Sequence, residues 1–183
     1  NGNIVKGNEL VLSYINSKDA YAKICLNEAL LIYPYLVMNF EGNTKKTFDF
    51  IEHNNYDFKK NHIHAYMATN LYLNHQNATK ALEIANGIEM TSAYLNIPFW
   101  HYEKGFAYFN QMKFDLAQKE FLEFTSKFKG NFYIKDTYEK LSWIALLQNN
   151  MKQAIFYRNE LLSNGSQTTD ADKLAQQNAN AGV

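Results

Sequence analysis

The chain has 183 residues, 46% hydrophobic and 15% aromatic, ample for a continuous core and too apolar for disorder over most of its length. Eighteen lysines and arginines balance eighteen aspartates and glutamates, so no basic footprint points to nucleic acid or anionic lipid. Arg158 is the only arginine, which nearly removes the bidentate fork that grips phosphate and carboxylate.

Asn1-Gly2-Asn3 opens the chain without the charged leader and apolar core of a signal peptide. Two prolines and eight glycines leave few breakers, which favours helices. Small or apolar residues recur at three- and four-residue spacing in Ala65, Ala68, Thr69, Tyr72 and in Tyr138, Leu141, Ser142, Ala145. The expected class is therefore all-α. Helices are predicted near 3–15, 18–40, 44–53, 60–75, 77–88, 98–111, 114–128, 132–148 and 151–163, with a polar, incomplete tenth starting around Thr169. The run Ile24 to Phe40 is interrupted by Asn27, Glu28 and Pro34, too short and polar to span a membrane. Pro34 is expected to kink or split its helix, and Cys25, among apolar neighbours, to be a small buried hydrophobe. A lone cysteine excludes an intrachain disulfide and a cysteine-based zinc site.

Caps set the boundaries. Asn77 and Asn150 precede periodic runs and can accept a bond from an orphan amide, with Gln153 as a capping-box-like partner of Asn150. Pro98 suits a first helical turn, and Gly130 and Gly165 are expected as left-handed stops. Asp170 and Asp172 are placed to answer the dipole of the tenth helix.

Gly105, Tyr108, Phe114, Ala117 and Phe121 form the skeleton of a helical hairpin in which a small residue on one helix meets a small residue on the next. Ala81, Ala117 and Ala154 are spaced 36 and 37 residues apart, and Thr69, Gly105 and Ser142 keep the same step. One step further back falls on Tyr33 and Lys45, neither small, so residues 18–53 are at best a degenerate preceding hairpin. On these anchors residues 62–162 resemble three tetratricopeptide repeats, the middle one most closely. The resemblance implies antiparallel helical hairpins stacked in a right-handed solenoid: N-terminal helices over 1–60, repeats over about 61–90, 98–128 and 132–163, and a polar tail over 164–183 that starts a further helix. His101 stands where the family prefers Trp, Lys104 where it prefers Leu, and Arg158 where the third repeat should carry an aromatic. The stretches NIPFWHYEKGFAYF, FLEFTSKFKGNFYIKD and TDADKLAQ also resemble large repeat proteins of Bacteroidetes that carry export signals, which implies a periplasmic or outer-membrane-associated fragment of a longer protein.

In such repeats the first helix of each hairpin lines the concave wall. That places Tyr66, Asn70 and Asn74 on the wall in repeat one, Phe99, Tyr102, Glu103, Phe106, Phe109 and Asn110 in repeat two, and Asp136, Glu139, Lys140 and Trp143 in repeat three. Aromatics among scattered polar groups suit a protein partner, which needs buried area and orientation. Phe106, Phe109 and Trp143 equally suit packing against neighbouring helices. Tyr102 and Glu103 are expected at the surface, so that replacing both leaves folding intact. Recognition of a C-terminal carboxylate needs Lys and Asn on the wall, and only Asn70 falls on such a position.

Catalytic and cofactor signals are weak. His62 and His64 diverge by about 200° on a helix and have no third ligand nearby, which favours surface or helix-start histidines over a metal-dependent hydrolase. No Gly-rich phosphate loop occurs. The sequence is thus expected to encode a non-enzymatic protein-interaction scaffold without a cofactor, the alternative being a carrier of a small apolar or sugar-like ligand on the aromatic wall.

Overall fold

The computed structural model describes residues 2–90 and 97–182. Among the described residues it is all-helical, with no strand. Ten α-helices follow in order: α1 Ile4–Ile15, α2 Leu26–Leu36, α3 Thr44–His53, α4 His62–Asn74, α5 Ala78–Gly87, α6 Phe99–Asn110, α7 Phe114–Lys127, α8 Ile134–Leu147, α9 Met151–Ser163 and α10 Asp170–Ala181. No described helix is long and apolar enough to cross a membrane. Residues 91–96, between α5 and α6, lie outside the described residues. The chain divides into two compact units, Asn1–His75 with Glu83–Glu89, and Gln76–Leu82 with Met90–Val183, and the division passes through α5.

The first unit turns on a proline. The single helix expected over 18–40 is instead a short 3-10 turn at Tyr21–Lys23, then α2, then a π-helical turn at Val37–Glu41 that stops at Gly42 in the left-handed region (φ 69°). Pro34 lies inside α2 and has no N–H for the Leu30 carbonyl one turn earlier. The Tyr56 hydroxyl donates to that carbonyl at 2.8 Å, and burial pushes its phenol well above the usual range. Around it runs a chain of rings: Tyr33 on Phe50 at 4.5 Å, Phe50 on Tyr56 at 6.3 Å, and Tyr56 on His64 at 5.2 Å. Cys25 is exposed, against expectation, because the 3-10 turn leaves Tyr21 and Ile24 beside it facing water too.

In the second unit α6 and α7 form one hairpin, α8 and α9 another, and α10 packs on α8 and α9. The expected close approach at Gly105 is real but differs in kind. A Cβ at Gly105 would sit 2.6 Å from two carbons of the fully buried Phe121 ring, so α7 presents a phenyl face to the gap rather than backbone. In the second hairpin the Ser142 hydroxyl donates to the Ala154 carbonyl at 3.1 Å, tying α8 to α9. Rings packed on one another fill the core: Phe124 lies 5.0 Å from Phe128, stacked, and 5.4 Å from Tyr102, tilted, and Tyr102 lies 4.7 Å from Tyr133, also tilted. Gly165 is left-handed (φ 78°) as expected. Gly130 is not; its missing side chain clears the Phe128 ring, whose Cζ would lie 2.5 Å from a Cβ.

Three helix-to-helix turns share one local backbone conformation. Gln76, Met112 and Asn149 each adopt positive φ (60°, 57° and 57°), in the same 36- and 37-residue step as the small-residue anchors. Behind Met112 the Lys113 amide reaches the Tyr108 carbonyl at 2.9 Å, and behind Asn149 the Asn150 amide reaches that of Ala145 at 2.8 Å. This six-to-one bond is the Schellman stop, which lets a helix end and reverse within a few residues. Asn77 and Asn150 then cap the next helices, accepting from Lys80 and Gln153 amides at 3.1 Å each.

Two substitutions at special backbone positions should act with opposite signs. Gly105→Ala gains helix propensity of about 1 kcal/mol, but overpacking against Phe121 costs about 1–3 kcal/mol, so a net loss is expected in urea melts. Met112→Gly relieves a left-handed non-glycine residue whose side chain is 78% exposed. It should raise stability by about 0.5–1 kcal/mol in the same assay.

Candidate functional site

The residues expected on the wall of the second unit meet one another. The Tyr102 hydroxyl on α6 donates to Asp136 Oδ2 on α8 at 2.9 Å, and burial raises its phenol well above the ordinary value. Lys140 Nζ donates to Asp136 Oδ1 at 2.9 Å and to Glu139 Oε2 at 3.1 Å. Asn178 on α10 donates from Nδ2 to Glu139 Oε1 at 2.8 Å. The Lys140 ammonium also lies 4.4 Å from the centre of the Trp143 ring. Two carboxylates share one ammonium, and a phenol and an amide supply the remaining donors. Such burial is tolerated because each charged oxygen has a partner.

This arrangement corrects the expected surface exposure. Tyr102, Glu103, Glu139 and Lys140 are buried, Glu103 to 3% exposure. The repeat resemblance placed them on an open wall, but side chains of α6, α8 and α10 meet on that side. Phe99, Phe106, Phe109 and Trp143 are half-buried, Phe99 against Phe124, Phe128 and Tyr133, and Phe109 6.3 Å from Trp143. Asn110 is exposed. In the first unit Tyr66 and Asn70 are half-buried, and the exposed Asn74 donates to Asn70 Oδ1 at 3.2 Å.

One functional group escaped the sequence reading. Asp172 was expected to serve the start of its own helix; it also caps another. Its Oδ2 accepts from the Tyr133 amide at 2.7 Å, and its Oδ1 from the Lys135 and Asp136 amides at 3.0 and 3.2 Å. The carboxylate is 0% exposed and takes a further bond from the Thr169 hydroxyl at 2.7 Å. It therefore answers the orphan amides and positive end of α8 from 36 to 39 residues away. Tyr133 needs that anchor, since it is a bulky residue held at φ 59°. Lys135 completes the frame by donating from Nζ to the Leu161 carbonyl in the last turn of α9 at 2.7 Å, with burial depressing its ammonium pKa. Arg158, where the repeat pattern asks for an aromatic, donates from Nη2 to the Ala179 carbonyl of α10.

His62 and His64 do not converge. Both are buried rather than at the surface, and their Nε2 atoms bond different carbonyls, those of Glu89 at 3.1 Å and Asn27 at 2.8 Å. Among the described residues no group of three or more His, Cys, Asp or Glu is placed to hold a metal ion. On α6 and α7, His101 Nδ1 donates to Glu120 Oε2 at 2.7 Å, a polar link where the repeat pattern prefers Trp. Compared with protein-family models, with curated proteins and with solved structures, the chain finds no match.

The two acids of the α10 start should separate cleanly by mutation. Asp172→Ala strands three amides in a buried site and is expected to cost about 3 kcal/mol or more. Asp170→Ala removes a side chain that is 98% exposed and should leave the melting temperature unchanged. Thermal denaturation of both variants checks the contrast.

Proposed function

We propose that residues 61–163 are tetratricopeptide-like repeats of a right-handed array, and that the chain serves as a non-enzymatic scaffold for a protein partner. The observation that supports this reading most is the step shared by three features: two small-residue anchors and one left-handed turn, each recurring at 36 and 37 residues. A backbone repeated in this way offers neighbouring, similar surfaces, which suits an extended contact better than one small reactive centre. Within the second unit, the expected wall residues that keep exposed surface are Phe99, Phe106, Phe109, Asn110 and Trp143. The buried polar network beneath Trp143 holds the rim in place rather than meeting a partner itself.

Immobilised full-length chain offered to native extract should retain a stoichiometric protein. Phe106→Ala and Trp143→Ala together should weaken that retention at least tenfold, as expected when aromatic anchors are lost. Each variant's melting curve reports whether folding is affected. Recovery of no stoichiometric protein counts against the scaffold. Release of a small molecule on denaturation would favour a ligand carrier instead.

A further inference from the structure

We propose that the wall formed by α6 and α8 docks a basic segment of a protein partner, with a lysine or arginine side chain laid along Phe106, Phe109 and Trp143. The proposal deepens the scaffold reading and rests on it for its biological meaning.

The wall offers apolar surface that is already in position. Phe106, Phe109 and Trp143 each keep part of their surface in water, and each is backed by another ring. Phe106 lies nearly parallel to the buried Tyr102 ring, with centroids 6.3 Å apart. Phe109 lies 6.3 Å from Trp143 and 5.7 Å from Phe114. Rings fixed in this way lose little freedom when something binds them. Asn110, next in the chain and exposed, adds an amide at the edge.

The charge at the wall has one sign. Asp136 and Glu139 share the single ammonium of Lys140, which leaves one negative charge in excess. Their other donors, the Tyr102 hydroxyl and the Asn178 amide, are neutral and do not cancel it. The three side chains are 6–11% exposed, so salt screens them less than surface groups. Among the expected wall positions of this unit Lys140 is the one cation, and it is committed to its two carboxylates. No exposed side chain at those positions repels an incoming positive charge.

The chain itself displays the contact in question. The Lys140 ammonium lies 4.4 Å from the centre of the Trp143 ring, so this indole accepts a cation in the folded protein. A long cationic side chain matches both properties of the wall at once. Its methylene stem covers ring surface while its head stays in the field of the two carboxylates. An acidic segment would bring like charges together, and a purely apolar one would leave the excess charge unanswered.

Two fluorescein-labelled peptides offered to the full chain test the proposal: Gly-Leu-Lys repeated three times, and the same peptide with glutamate for lysine. Fluorescence anisotropy reads affinity, and NMR of the two tryptophan indole N–H signals reads location. The lysine peptide should shift the Trp143 signal more than that of the buried Trp100, and the glutamate peptide should bind at least tenfold more weakly. Trp143→Leu should cost at least tenfold in lysine-peptide affinity, the loss expected of an aromatic anchor. Glu139→Gln removes the excess charge and should cost about threefold. Asn110→Asp, at an exposed position where folding is undisturbed, adds a charge and should gain about threefold, whatever Glu139→Gln does to stability. The proposal is overturned by equal binding of the two peptides, by no binding of either, by a lysine peptide that leaves Trp143 unshifted, or by Asn110→Asp without effect. Binding of N-acetyl-lysine amide as tight as that of the peptide also overturns it, in favour of a small ligand. Lysine-peptide binding at Trp143 beside an empty pull-down keeps the cation-binding wall and removes the scaffold. A stoichiometric partner whose retention Asn110→Asp and Glu139→Gln both leave unchanged removes the basic segment and keeps the scaffold.

Discussion

The carboxylate of Asp172 on the N-terminus of α8 fixes more of the second unit than any other single contact. A helix of fourteen residues begins at Ile134 with orphan amides and, among the described residues, no side-chain cap of its own at Tyr133. Without an acceptor those amides would be buried and unpaired, and Tyr133 would have little reason to stay left-handed. Asp172 supplies the acceptor, and in doing so sets where α10 lies. The ring of Tyr133 then meets Tyr102 and Phe99, which joins the start of α8 to α6.

From that anchor the polar interior follows. Once α10 is docked, Asn178 reaches Glu139, Lys140 sits between Glu139 and Asp136, and Tyr102 closes the set from α6. None of these groups is favourable to bury by itself, because losing water costs each of them several times what one ordinary hydrogen bond returns. Together they are mutually satisfied, and the geometry admits one register of the three helices. A hydrophobic seam of the same area would hold as well but would specify that register less sharply.

The first unit solves a similar problem by another route. Pro34 leaves a carbonyl without its helical partner, and Tyr56 arrives from 26 residues away to take it. The rings packed on Tyr56 are what make its burial favourable, so the proline break and the aromatic chain depend on each other. His64 joins that chain and bonds the Asn27 carbonyl, a structural use for a histidine that spacing alone could equally have suggested as a ligand.

Helix class, the hairpin step and the caps at Asn77 and Asn150 were legible in the residues, because they depend on contacts within about one turn. Asn77 and Asn150 act three residues away; Gly105 needs only the neighbouring helix; apolar spacing of three and four marks a helix whatever surrounds it. The repeat resemblance also placed Tyr102, Glu103, Glu139 and Lys140 on one wall, and there its reach ended. Whether that side meets water or another helix depends on residues 34 to 39 positions away, and the resemblance suggested an open wall. The reach of Asp172 to α8, of Tyr56 to Leu30 and of Arg158 to Ala179 are likewise long-range pairings that no local pattern encodes. Only the tertiary structure decided them, because a buried polar group is acceptable or costly according to the partner that folding brings to it.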